Sequence, residues 1–182
     1  MTVQEIEQVY LEGLKKIQAP PPPKLEPVIF GEEETHFEYL FVTTENGKYK
    51  YGNYSRGNPK NIRYSEDYDE VLYYIFEFAT HVVASYNLKK CNILLGTSKF
   101  EYRRLLWKIQ LDLLLIINPQ YAQRCEKECE AYIAKSPFDD GLSETLTFLD
   151  GYPCPILSPN IPPGICPLDD EGGPCIFLKP IE

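Results

Sequence analysis

Imidazole is scarce in this chain: His36 and His81 are its only histidines in 182 residues. Neither falls in a spacing that builds a nucleophile–base pair or a zinc site. H-E-x-x-H, Walker-type and G-x-G-x-x-G glycine loops, and G-x-S-x-G are all missing. The six cysteines include no C-x-x-C pair, the usual signature of structural zinc. The longest apolar run, Leu113 to Ile117, is far short of the roughly 20 residues that span a bilayer. Met1-Thr2-Val3-Gln4-Glu5 has no basic stretch leading into an apolar one, so no signal peptide is expected. Bases are nearly missing from residues 138–182, where Lys179 stands alone against eight acids. These absences argue against a metalloenzyme, a nucleotide-dependent enzyme and a membrane-spanning protein. The expected setting is cytoplasmic, with the cysteines as free thiols and no cofactor.

What is present is enough to fold. Hydrophobic residues make up 43% of the chain and aromatics 13%, sufficient for a real core. The net charge of −9 repels nucleic acid and anionic membrane, and favours a basic protein partner. Acids cluster at Glu32-Glu33-Glu34, at Asp67, Asp69 and Glu70, at Asp139-Asp140 and at Asp169-Asp170-Glu171. Acid–base catalysis needs two carboxylates in unlike environments within a cleft, whereas clusters on turns and helix starts are usually solvated caps. Cys125 and Cys129 are one helical turn apart on an apolar face and read as small buried hydrophobes. Cys154, Cys166 and Cys175 are too irregularly spaced to make more than a weak metal set.

The pattern predicts an α+β protein. Val3, Ile6, Tyr10, Leu14 and Ile17 line one face of an amphipathic helix within residues 1–19. Pro20 to Pro23 stop it and open a proline-rich acidic linker over 20–35. His36 to Thr43 and Lys48 to Tyr54 should pair about the Glu45-Asn46-Gly47 turn, with Asn61 to Tyr64 a candidate third strand. This small antiparallel sheet should pack against three helices. The first starts at Asp67, with Glu70 completing a capping box, and runs to about Tyr86. The next opens on a box at Ser98 to Glu101 and buries Leu105, Leu106, Ile109, Leu113, Ile116 and Ile117. Asn118-Pro119 ends it and begins the last, whose inward residues are Tyr121, Ala122, Cys125, Cys129, Tyr132 and Ile133. Residues 36–138 form the expected domain, and 139–182 an acidic, proline-rich irregular tail with one candidate element at Leu146 to Leu149.

Two of these helices are recognisable. Asp69-Glu70-Val71-Leu72-Tyr73-Tyr74-Ile75-Phe76 resembles the D-E-L-L-Y-W-I-F helix of the immunity protein 63 family. Arg103-Arg104-Leu105-Leu106 through Gln110-Leu111 resembles that family's R-R-x-L-F-x-x-Q-L helix. Asn118-Pro119-Gln120-Tyr121-Ala122-Gln123-Arg124 resembles its P-x-W-x-x-R helix start. The resemblance spans about residues 36–138, with Tyr74 and Tyr121 standing where the family has tryptophan. It implies a bacterial immunity protein that binds and neutralises a cognate polymorphic or contact-delivered toxin in the cytosol and catalyses nothing.

On that basis the candidate partner-binding residues are Asp67, Asp69, Glu70, Tyr73, Tyr74 and Glu77 along the second helix, with Arg103 and Arg104 facing toxin acids. The expected partner is a toxin domain, basic and nuclease-like in the electrostatic version. Two other classes compete: a small thiol- or histidine-dependent hydrolase, and an adaptor that presents its proline-rich segments.

Overall fold

The computed structural model describes residues 1–17, 28–31, 39–55, 58–90 and 102–138. Helix α1, Val3–Lys16, begins at a capping box that hydrophobic periodicity alone had not revealed. Thr2 Oγ1 accepts from the Glu5 amide at 3.2 Å, and the Glu5 carboxylate accepts from the Thr2 amide at 2.6 Å. Its buried face is the expected one: Val3, Ile6, Tyr10 and Ile17 are within, joined by Gly13. Four strands follow: β1 Val28–Phe30, β2 Tyr39–Glu45, β3 Lys48–Ser55 and β4 Asn58–Ser65, in the order β1-β2-β3-β4. The β2–β3 hairpin turns on Asn46 and Gly47, both at positive φ, as a two-residue turn of this type requires.

The sheet is mixed, not antiparallel throughout. β1 pairs in parallel with β2, Ile29 opposite Phe41. It lies within the stretch expected to be linker, and three residues are too few to show an alternating pattern. β4 is longer than the candidate third strand, and its irregular register explains why. Between Tyr51 and Asn53 the β3–β4 ladder shifts, and Asn61 takes φ +52. A side chain at Gly52 would meet the Lys60 carbonyl at 2.9 Å, so only glycine allows this close approach.

Helices α2, Tyr68–Lys90, α3, Tyr102–Ile117, and α4, Pro119–Ile133, complete the described fold. The Asp67 carboxylate accepts from the Asp69 amide at 2.9 Å and caps α2, but the predicted box does not close. Ser65 Oγ takes the Asp67 amide, and Glu70 is engaged elsewhere. α2 also continues through Asn87 to Lys90, expected as a connection. The α3–α4 junction forms as expected, with Asn118 Oδ1 accepting from the Gln120 amide at 2.9 Å. In α3 the buried stripe runs through Leu106, Ile109, Gln110 and Leu114, whereas Ile116 is 46% exposed. The unbroken run Leu113 to Ile117 contains no polar residue to set the phase of the helix. Tyr132 of α4 is likewise 53% exposed instead of inward. No helix among the described residues is long and apolar enough to cross a membrane.

Two compact units emerge. The first comprises Met1–Val83 and Gln110–Cys125, and holds the sheet. Its core is a chain of aromatic rings: Phe30 to Tyr10 at 5.7 Å, Tyr10 to Phe76 at 5.5 Å, and Phe76 to Tyr121 at 6.1 Å. The second, Ala84–Ile109 with Glu126 onward, centres on Trp107, whose ring meets Tyr132 at 5.6 Å and Phe138 at 5.8 Å. The Ser98–Glu101 box, Pro20 to Pro23, His36, Leu146 to Leu149 and the tail cysteines lie outside the described residues.

In the first unit α1 crosses close to α2. A Cβ on Gly13 would run into the Phe76 ring, which is 1% exposed and would have to shift. Gly13→Ala should therefore destabilise the protein by roughly 1–2 kcal/mol through overpacking. In an open helix the same change would stabilise by about 1 kcal/mol. The urea midpoint should fall with the slope unchanged; a rise would show that α1 is not seated on Phe76.

Candidate functional site

The acids singled out by the resemblance sit at the start of α2, and their partners come from α4. The Tyr121 hydroxyl donates to Asp69 Oδ1 at 2.6 Å. Arg124 grips Glu70 with both arms of its guanidinium, at 2.8 and 3.0 Å. The same guanidinium lies 3.9 Å from the centre of the Tyr73 ring, which in turn meets Tyr121 edge-on at 5.7 Å. Tyr121 and Arg124 are three residues apart, so they share a face of α4 and reach adjacent positions on α2 together. Beside this clasp opens a cleft of about 290 Å³, floored by Leu72, Phe76 and Ile117 and rimmed by Glu12, Lys16, Asp69 and Asn118.

Farther along α2 the pattern repeats. Gln110, 1% exposed, donates its amide to the Glu77 backbone carbonyl at 3.0 Å and to the Glu77 carboxylate at 3.2 Å. Its oxygen lies 3.4 Å from the ring nitrogen Nδ1 of His81. His81 is thus part of a polar contact between α2 and α3. Tyr74 is half-buried, edge-on to Tyr51 at 5.2 Å, with Arg63 of β4 lying 4.9 Å from the centre of its ring. Burial pushes the Tyr74 phenol above its ordinary value, the nearby Arg63 charge opposing.

In the second unit the arginine pair is turned inward. Arg103 donates to the Ser136 carbonyl at 2.8 Å, to Ser136 Oγ at 3.2 Å and to the Pro137 carbonyl at 3.0 Å. It thereby satisfies acceptors just past the end of α4, where a cation is favoured. The Trp107, Tyr132 and Phe138 rings surround it at 5.4 to 5.9 Å. Arg104 is fully buried, 4.0 Å from the centre of the Phe138 ring.

Of the eight candidate contact residues, then, Tyr73 and Arg104 are interior, at 5% and 0% exposure. A buried side chain offers no surface to a partner. Arg103 and Glu70 are half-buried and already held by internal acceptors and donors. Asp67 and Asp69 are exposed, and Tyr74 and Glu77 half-exposed. Tyr121 is inward as its place in the last helix predicts, at 5% exposure, whereas its bond to Asp69 and the role of Arg124 do not follow from hydrophobic periodicity. The spacing of the P-x-W-x-x-R motif was their available signal. Cys125 and Cys129 are buried, in keeping with their place on the apolar face of α4.

Residues 45–131 match the model of the immunity protein 63 family. That span runs from the end of β2 through β3, β4, α2 and α3 into α4, and contains both halves of the clasp. The three quoted motifs fall inside it. No curated protein and no solved structure matches the chain. Within the immunity protein 63 region, the signature residues are therefore largely partners of one another: Asp69 with Tyr121, Glu70 with Arg124, and Gln110 with Glu77.

The clasp makes a pH prediction. Burial first, and then the hydrogen bond to the Asp69 carboxylate, pushes the Tyr121 phenol well above its ordinary value; burial alone does the same for Tyr10. An unfolded chain releases these protons near pH 10, while the folded one retains them. Stability should be unaffected by these groups below about pH 9 and fall as pH rises past about 10. Tyr121→Phe should cost about 1 kcal/mol at neutral pH and make the alkaline fall shallower in urea titrations. An unchanged alkaline limb would mean Tyr121 does not keep its proton.

Proposed function

We propose that this chain is an immunity protein that neutralises a cognate bacterial toxin domain by stoichiometric binding and performs no reaction of its own. The match of residues 45–131 to immunity protein 63 carries this reading. The geometry supports it from another side. The carboxylates and arginines that might suggest catalysis are engaged in holding helices together, and His81 faces an amide. The exposed and half-exposed surface here includes Asp67, Asp69 and Tyr74, with Tyr64 and Tyr68 exposed at 54% and 43% nearby in sequence. Tyrosines of this kind supply large contact area at small entropic cost.

The electrostatics divide in two. The described residues carry fourteen bases against thirteen acids, close to balance. The surplus acid belongs to Glu32 to Glu38 and to residues 139–182. Attraction of a basic toxin at long range would come from those segments, and the short-range fit from the described body.

If a toxin-like C-terminal domain is encoded beside this chain, co-expressing this chain with it should rescue growth and yield a complex of fixed stoichiometry by light scattering. Its association rate should fall on the order of tenfold between low and high ionic strength. Failure to bind or rescue would remove the proposal. Binding indifferent to salt would remove only its electrostatic part.

A further inference from the structure

β4 is the last strand of the sheet among the described residues, and it is open. Every residue from Asn58 to Tyr64 is exposed, and only Ser65 is half-buried. Its eight residues carry two bases, Lys60 and Arg63, and no acid. Natural edge strands are blunted by proline, lysine and bulges. Here those devices, Pro59, Lys60 and the irregularity at Gly52 and Asn61, all fall in the first half. Arg63 to Ser65, beyond the bulge at Asn61 and Ile62, is a regular ladder opposite β3, with Tyr64 across from Lys50 and Arg63 across from Tyr51. That half has no proline, and Arg63 is its one charged side chain.

The side chains of this half sort by face. Arg63 lies on the helix side, its guanidinium against the Tyr74 ring. Ile62 and Tyr64 alternate with it on the other face, at 41% and 54% exposure, where Tyr64 donates to Glu45 at 2.7 Å. We propose that residues 61–65 are a strand-addition site for an extended segment of the toxin. This segment bears a carboxylate opposite Arg63 and apolar side chains opposite Ile62 and Tyr64. The main chain of the edge supplies affinity, and the alternating faces supply specificity. Arg63 is favourably prepared for such a carboxylate, because its planar fork is already stacked on a ring. A second copy of this chain is the less fitting occupant, since antiparallel β4–β4 pairing would bring like charges together across the seam. Local complementarity at β4 does not depend on the partner's net charge. The inference rests on the immunity reading and adds to it where contact is made.

Amide hydrogen exchange on the full chain, alone and with the purified adjacent toxin domain, tests it. Amides within 61–65 should become protected in the complex. Arg63→Glu should weaken binding on the order of tenfold while leaving the urea midpoint within the range of other surface changes. A complex that forms with protection elsewhere and tolerates Arg63→Glu overturns the edge site and leaves the immunity function standing. Protection of 61–65 in the free protein that rises with its concentration would assign the edge to a second copy and overturn the proposal. No complex at all would end both.

Discussion

The contact between the first turn of α2 and the first turns of α4 governs how much else in this protein can be understood. Asp69 and Glu70 are consecutive, and Tyr121 and Arg124 are three apart on their helix, so three hydrogen bonds form together and neither helix can rotate without losing them. Arg124 also stacks on Tyr73, which makes its aliphatic stem and ring contacts part of the core. As an ion pair at 37% and 44% side-chain exposure the link would contribute little, on the order of 1 kcal/mol or less. Its value is positional: it fixes where α2 lies, and Tyr74 and Glu77 with it.

An acidic helix start invites interpretation as a binding surface, but six of the eight candidate residues meet internal partners first, Asp69 at the Tyr121 hydroxyl and Tyr73 beneath Arg124 among them. Glu70 answers Arg124, Glu77 answers Gln110, Arg103 answers carbonyls beyond α4, and Arg104 is enclosed beside Phe138. Side chains that hold helices together have less surface to offer a partner than those on open elements, and β4 is the most open regular element described.

Much of this architecture was legible in the residues, for identifiable reasons. α1 has a clean apolar stripe bounded by prolines, the hairpin has Asn46-Gly47, and the α3–α4 break has Asn118-Pro119; in each case local chemistry and fold agree. The misses have local causes too. β1 is too short for a period, the Leu113 to Ile117 run has no phase marker, and Tyr132 lies where a helix-wide stripe is broad enough to include an exposed position.

The linear chain by itself determined the α+β class, the hairpin turn at Asn46-Gly47 and the helix break at Asn118-Pro119, because these depend on periodicity and on backbone-restricting residues. Pairing across the fold was decided only in three dimensions. Asp69 and Tyr121 are 52 residues apart, and Glu70 and Arg124 are 54. Nothing local to either member distinguishes a solvated cap from a buried partner. Exposure has the same character: Arg63 and Arg104 are the same residue type, yet β4 leaves one at the rim while the packing around Phe138 encloses the other. A side chain's chemistry is written at its own position, but what it is free to touch is set by neighbours that arrive from elsewhere in the chain.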